Sequence, residues 1–414
     1  SACREYWGAD DLVFTKDEFE GAEYKAWLEL SRAYQSSGKL SAAASSAKRA
    51  IAVSEDPFNR LTATIQLGFI LLKLYMLNDS MVAFEEAASV ALSMDMQIPA
   101  PVLNGRAEAA MNLAQEEWLE CRWARAIGLM EVAEKSFRDA GRQTGFAASW
   151  KRAADCATLQ SAYRLNLYGE KSQAVSEIAC RLTCKTVMLR PWEQGYLADL
   201  GLALAHAGRC DLALRVLENL LSDNSTQADL WMAAGQVHAM HPEDHAEESL
   251  HCFVAAAQLR ESAACLMQLG VRYAQRAHTL DEATKCAAGA IRQDPSLPEN
   301  WTLLGTLREV RAGSSSERLR EALHAFTQAD ALGGGPSAVR GQLRTILRLC
   351  DVDDARDTEI FAAWGASLRL GGEKISPLLQ ERVQNMLSRR QDKHLSVPES
   401  RRGYLYPYVT FVRS

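Results

Sequence analysis

Four glycines keep a steady beat along the second half of the chain. Gly201, Gly235, Gly270 and Gly305 are separated by 34, 35 and 35 residues. A fixed period of this length marks an array of supersecondary units, each of which buries its apolar face only against its neighbours. Four residues before each glycine stands a large apolar residue: Leu197, Trp231, Leu266 or Trp301. Immediately before it stands Leu200, Ala234, Leu269 or Leu304. Side chains at this spacing gather on one face of a helix.

A second helix is predicted in each period. Ala213, Leu217 and Leu220 have the required spacing in the first, and Ser249, Phe253 and Ala256 in the next. Ala283, Ala287 and Ala290 follow, and Asp294-Pro295 closes that helix. The period that opens at Trp301 resumes with Ala322, Phe326 and Ala329, after a loop expected to carry about five extra residues around Gly313-Ser314-Ser315-Ser316. The small residues let antiparallel helices approach closely. Abundant Ala and Leu, with few β-branched residues, suit helix throughout.

This pattern resembles the tetratricopeptide (TPR) repeat, whose first helix reads W-x2-L-G-x2-Y. The resemblance implies an all-α fold: a right-handed superhelical solenoid of antiparallel helix pairs. The N-terminal half follows the same plan less regularly. Trp27, Leu30, Tyr34, Ala43, Ala47 and Ala50 form a first unit, and Leu67, Gly68, Leu71, Phe84 and Ala87 a second. A long helical stretch, 102–138, reads as an elongated pair that turns near Glu120 to Arg125. Trp150, Ala153, Ala154 and Ala157 restart the pattern, and 160–196 is its weakest part. The expected organisation is an N-terminal segment (1–22), N-terminal TPR units (23–100), irregular or elongated TPR-like helices (101–196), a regular array (197–335), capping helices (336–395) and a basic aromatic tail (396–414).

Little in the sequence speaks for catalysis. P-loop, GxGxxG and GxSxG patterns are all missing. Gly333-Gly334-Gly335-Pro336 follows a helix and does not follow a strand, so it reads as a helix terminator and not as a phosphate cradle. His238, His241, His245 and His251, with Asp244, Glu247 and Glu248, are the best metal candidates. They spread over a helix end, a turn and a second helix without a zinc-motif spacing, so no metal is expected. Cys180 and Cys184 lack further ligands nearby and read as buried thiols. The expectation is a protein that is not an enzyme and carries no cofactor, with no small-molecule substrate.

The ten scattered cysteines suit a reducing compartment, the cytoplasm first and the nucleus second. The sequence shows no secretory leader and no apolar run of membrane-spanning length. It opens on Ser1, which leaves room for a longer parent chain. The net charge of −6 argues against general nucleic-acid binding by the body.

Stacked first helices line the concave face of a TPR array, where partners bind. The register places Leu202, Met232, Gln236, Met240, Met267, Val271 and Gln275 there, with Thr302 and Thr306 further on and Lys25, Arg32, Ile65, Phe69 and Lys73 in the first two units. The C-terminal part of this groove is neutral, with Met and Gln, and methionine suits adaptable apolar contact. It lacks the Lys, Arg and Asn set with which chaperone-adaptor TPR domains grip a terminal carboxylate. The expected partners are other proteins, assembled on a scaffold or, in the alternative reading, recognised through a short motif by a peptide receptor or cochaperone-type adaptor.

Beyond Gly335 the repeat fades. Arg340, Arg344 and Arg348 form a basic stripe on a predicted capping helix, and helices are predicted over 358–370 and 376–390. From Arg382 onward seven Lys or Arg face two Asp or Glu. Arg389, Arg390, Arg401 and Arg402 with Tyr404 and Tyr406 could cap the array or dock protein or RNA, since aromatics among basic residues stack on single-stranded bases.

A closer resemblance lies in three segments. They are the elongated pair Leu103 to Phe137 followed by Trp150-Lys151-Arg152-Ala153-Ala154-Asp155-Cys156, then Glu248-Ser249-Leu250-His251-Cys252-Phe253, then Leu269-Gly270-Val271-Arg272-Tyr273. Over roughly residues 100–332 they are similar to the family of TPR scaffold subunits of the Ski (superkiller) complex, a cytoplasmic cofactor of the RNA exosome. Ala154 replaces that family's usual glycine, and the chain is much shorter than its members. The resemblance implies a role in RNA decay, with a helicase and WD-repeat subunits as partners and RNA reached only indirectly.

Overall fold

The computed structural model describes residues 16–169, 172–240, 242–352 and 355–370, together with 379, 382 and 383. Eighteen α-helices and one 3-10 turn, and no strand, occur among them. The chain divides into two compact units, Ser1–Arg272 and Tyr273–Ser414.

The first unit is a series of helix pairs: α1 (Lys16–Ser36) with α2 (Leu40–Val53), α3 (Pro57–Lys73) with α4 (Leu77–Ser93), and α5 (Ala100–Leu119) with α6 (Trp123–Thr144). Then come α7 (Ala147–Tyr168) with α8 (Gln173–Leu189), α9 (Gln194–His206) with α10 (Cys210–Asp223), and α11 (Ala228–Ala239) with α12 (Pro242–Leu259). Helix α13 (Ala263–Ala274) begins in this unit. The second unit holds a 3-10 turn (Ala277–Thr279), α14 (Leu280–Gln293), α15 (Pro298–Ala312) paired with α16 (Ser316–Ala331), α17 (Gly335–Asp351) and α18 (Asp357–Arg369).

Packing within four of the pairs follows one rule: the large side chain of the second helix is received by a glycine of the first. A Cβ added to Gly68 on α3 would lie 2.8 Å from the Phe84 ring of α4, and one on Gly105 of the next first helix, α5, only 2.1 Å from it. Phe84 is fully buried in that slot. Phe326 of α16 is held the same way, at 2.9 Å from a Gly305 Cβ and 2.4 Å from a Gly341 Cβ. Gly235 with Phe253 (2.8 Å) and Gly201 with Leu217 (2.9 Å) repeat the contact. Each insertion removes a whole side chain from water, about 1.5–3 kcal/mol apiece.

Polar ties recur with the same register. The hydroxyls of Ser80 and Ser249, both buried, donate to the carbonyls of Gly68 and Gly235 at 2.9 Å. The indoles of Trp231 and Trp301, expected in the core, are only half-buried; each donates to a carbonyl six residues back, Ser225 (2.8 Å) and Pro295 (2.9 Å), and fastens the preceding loop. Asp56 caps α3 by accepting from the amides of Phe58 and Asn59, with Pro57 at the first helical position.

The elongated pair is present as α5 and α6, and its turn is only Glu120 to Arg122. Buried Glu117 ties the turn by pairing with Arg122 and, at 3.3 Å, Arg125. The hydrogen bond from Arg122 leads in holding the Glu117 carboxyl below its ordinary range, against the effect of burial. The weak stretch 160–196 holds the end of α7, a helix of 22 residues, and the whole of its partner α8.

Two expectations in the second unit need correction. The extra residues after Trp301 do not form a long loop: α15 continues to Ala312, and only Gly313, Ser314 and Ser315 lie between helices. The added turn is anchored by Glu309, which is 4 % exposed and accepts from Arg344 Nε of α17 at 2.8 and 2.9 Å. Arg344 and Arg348 are therefore not an open basic stripe. Arg348 donates to the Glu309 carbonyl at 2.9 Å and also to that of Gly313.

Candidate functional site

The first helices do not form an even row. Helices α1, α3 and α5 pack successively side by side, as do α9 and α11, but α7 makes no comparably close backbone approach to α5 or α9. On the α5 side, aromatic rings fill the interval: Trp118 and Tyr163 stack with centroids 4.0 Å apart and planes 9° from parallel. On the α9 side a cavity of about 510 Å³ opens.

Its floor is alanine: Ala154 and Ala162 from α7, Ala179 from α8 and Ala203 from α9. In α3/α4, α9/α10, α11/α12 and α15/α16 a glycine faces Phe or Leu; here Ala154 stands at the glycine position and α8 contributes only Ala179, Thr183 and Ser176 to the lining. With small residues on both sides nothing fills the interval. The hydroxyls of Thr158 and Thr183 donate to carbonyls of their own helices, Ala154 and Ala179, at 3.0 and 2.9 Å. Their donors are thus spent, and the surface they present is largely methyl. Leu165, Leu202 and Met240 complete the apolar wall, and Gln236 and His206 add polar edges.

One wall carries charge. Lys151 Nζ on α7 lies 2.6 Å from Asp155 Oδ1, one turn along, and 2.9 Å from Asp199 Oδ2 on α9. Burial alone would lower the Lys151 ammonium, but the hydrogen bonds to the two carboxylates outweigh it and hold it above the ordinary lysine range. The lysine stays cationic at neutral pH, and the second carboxylate leaves the wall with an excess negative charge. Both carboxylates remain about two-fifths exposed.

Of the positions expected on the concave face, Leu202, Gln236 and Met240 come together in this cavity. Met232, Met267 and Val271 are half-buried outside its lining, and Gln275 is exposed in the second unit. Phe69 packs edge-on against Phe84, centroids 5.1 Å apart, and so serves the core. Arg32 is paired with Glu29 at 2.6 Å. Lys151, Asp155 and Asp199 escaped the sequence reading because their meeting depends on the approach of α7 and α9; only the Lys151–Asp155 interval, four residues on a helix, was a visible signal. The tail residues Arg389, Arg390, Arg401, Arg402, Tyr404 and Tyr406 lie outside the described residues, as does His241.

His238 and His245 face each other with ring centroids 5.2 Å apart. Burial first, and the neighbouring His245 second, hold the His238 imidazole below its ordinary value. Among the described residues no group of three or more His, Cys, Asp or Glu is placed to hold a metal. Burial raises the Cys156 thiol to about 12 and that of Cys180, beside Cys184, to about 11, so neither is a ready nucleophile. No described helix is long and apolar enough to cross a membrane.

No protein-family model matches the chain, and no curated protein is similar to it. Solved structures resemble it at low identity. A tetratricopeptide repeat protein from Parabacteroides merdae is 14 % identical over 69 % of this chain and 98 % of its own, with a TM-score of 0.48. Yeast Tom70 is 13 % identical over 86 % and 85 %, with a TM-score of 0.42. Human IFIT1, solved as a dimer with m7Gppp-AAAA, is 13 % identical over 93 % and 89 %, with a TM-score of 0.46. The chain's own packing settles the architecture: helix pairs follow in series, with Phe84 and Phe326 each set between the glycines of two successive first helices, and this is the tetratricopeptide-repeat fold.

Proposed function

We propose that this protein is a non-catalytic scaffold that assembles other proteins through the concave face of its first unit. The observation that carries the reading is the cavity between α7, α8, α9 and α11, where three residues of the expected binding face, Leu202, Gln236 and Met240, converge on an alanine floor. A concave, mostly apolar volume with a few convergent polar groups suits recognition. Its enclosure favours a short segment of a partner as the element that seats there, the mode of a peptide receptor.

The finer assignment is a Ski-like scaffold in cytoplasmic RNA decay, with a helicase and WD-repeat proteins as partners. It rests on the sequence resemblance around Trp150-Lys151-Arg152-Ala153-Ala154-Asp155-Cys156. Affinity purification of the full chain from cells, read by mass spectrometry, tests both levels. Stable protein partners lost on Met240→Glu support the groove, because a carboxylate would be desolvated against an apolar ligand. Recovery of a helicase with WD-repeat proteins supports the Ski-like role. Partners that ignore Met240→Glu and leave at modest salt would place function on the basic tail instead.

A further inference from the structure

We infer that the cavity between α7 and α9 selects a peptide segment in which one Lys or Arg side chain neighbours a bulky apolar side chain. The inference rests on the groove reading above and adds the chemistry of the occupant. The rest of the lining carries no Lys, Arg, Asp or Glu, so the ion-paired wall sets the charge preference. There Lys151 is shared between Asp155 and Asp199, one cation against two carboxylates. Each carboxylate has two oxygens and several lone-pair sites, and Lys151 takes one oxygen of each at 2.6 and 2.9 Å. The remaining oxygens, on side chains about two-fifths exposed, can accept from a second cation.

An anionic ligand would meet the two carboxylates and would need Lys151 to abandon both. A cationic one completes the charge balance and leaves the existing bonds intact. Beside this wall, Ala154, Ala162, Ala179 and Ala203 leave room for an apolar side chain, with Leu202 and Met240 as its walls. The volume of about 510 Å³ exceeds one side chain, so the cationic and apolar groups enter from neighbouring positions of one strand. The Gln236 side-chain amide at the rim offers a donor and an acceptor to that strand's backbone. A carboxylate clamp would present the opposite charge.

Phage-displayed random octapeptides panned on the full chain, followed by fluorescence anisotropy with the strongest selected peptide, test the inference. The expected peptides carry Lys or Arg beside Leu, Met or Phe. Replacing that basic residue by Ala should weaken binding about tenfold, the scale of one charge-assisted hydrogen bond. Asp199→Asn should do the same to the parent peptide, and Asp199→Lys should shift selection away from basic peptides. Ala162→Leu, at an exposed lining position, should abolish binding by filling the space, while Trp192→Ser, on a turn outside the cavity, should leave it unchanged. Circular dichroism melts of each variant separate lost binding from lost fold. If Ala162→Leu abolishes binding but Asp199→Asn and Asp199→Lys leave affinity and selection unaltered, the cationic preference is wrong and the groove stands. If no peptide is enriched, or Ala162→Leu has no effect, the cavity is not the binding site and the groove reading fails with it.

Discussion

The pair α3/α4 and the pair α7/α8 are built on the same plan and reach opposite results. In the first, Gly68 and the following Gly105 admit the Phe84 ring, which is fully buried. In the second, Ala154 stands at the glycine position and α8 contributes Ala179 and Thr183, leaving about 510 Å³ open. The contrast teaches that a repeat becomes structure or site according to whether the match of small with large is kept. Dense packing needs both halves of it. Where the large half is missing, the backbone is still held by neighbouring units, so the opening is tolerated and is available for a ligand.

The largest test of this contrast is removal of the large half where it exists. Phe84→Ala should cost about 3–5 kcal/mol in unfolding free energy, the usual loss for a buried ring. Leu165→Ala, at the cavity wall and 47 % exposed, should cost about 1 kcal/mol or less. Equal losses in urea melts would erase the distinction between closed and open pairs.

The reverse substitution sharpens it. Gly235→Leu drives a side chain into Phe253, whose ring already lies 2.8 Å from where a Cβ would sit, and should cost about 1–3 kcal/mol. Ala154→Leu makes a similar enlargement beside empty space. It should cost about 0.5 kcal/mol or less, or stabilise, as cavity filling does. A thermal melt in which Ala154→Leu falls as far as Gly235→Leu would mean that the interval is already full.

The α11/α12 pair differs from α7/α8 in a titratable way. Its His238 has a buried Nδ1 without a hydrogen-bond partner and a depressed imidazole pKa. The unfolded chain takes up a proton near the ordinary imidazole value of about 6.5, whereas the folded chain resists until lower pH. Stability from this group is therefore present above that range and lost as pH falls through it. Urea midpoints at about pH 7.5 and 5.5 should differ more for the native chain than for His238→Gln. Identical differences would assign the acid sensitivity elsewhere.

A small gain is expected at the turns within pairs. Gly38 and Gly208 take positive φ without strain, but Tyr75 takes the same region at φ 60° between α3 and α4. Tyr75→Gly should gain roughly 0.5–1 kcal/mol, because relief of left-handed strain exceeds the added freedom of the unfolded chain. A lower melting temperature for this variant would show that the exposed tyrosine ring contributes more than its backbone costs.

Legibility followed the same contrast. The array from Gly201 onward was readable because Gly201, Gly235 and Gly305 come with their partners, Leu217, Phe253 and Phe326. The stretch 160–196 was faint because Ala154, Ala179 and Thr183 lack that signature, and this same lack opens the site. Of the candidate site, Leu202, Gln236 and Met240 were found from register alone. The charged wall was missed, since Asp199 lies 48 residues from Lys151 and their 2.9 Å contact depends on how two helices lean together. Arg344 and Arg348 show the limit from the other side. Their spacing placed them on one face, but only the approach of α17 to α15 gave that face its partner, Glu309.

By itself, then, the sequence determined the period, the helical pairing and the positions of the large side chains. These are properties of local geometry: 3.6 residues per turn and the volume of single residues suffice to compute them. Tertiary structure decided which surfaces were consumed and which stayed open. Lys151 became part of a shared ion pair, Phe69 was drawn into the core, and an alanine-lined interval remained unfilled. Such outcomes depend on distances between helices far apart in the chain, and a few ångströms there separate a packed interface from a binding cavity.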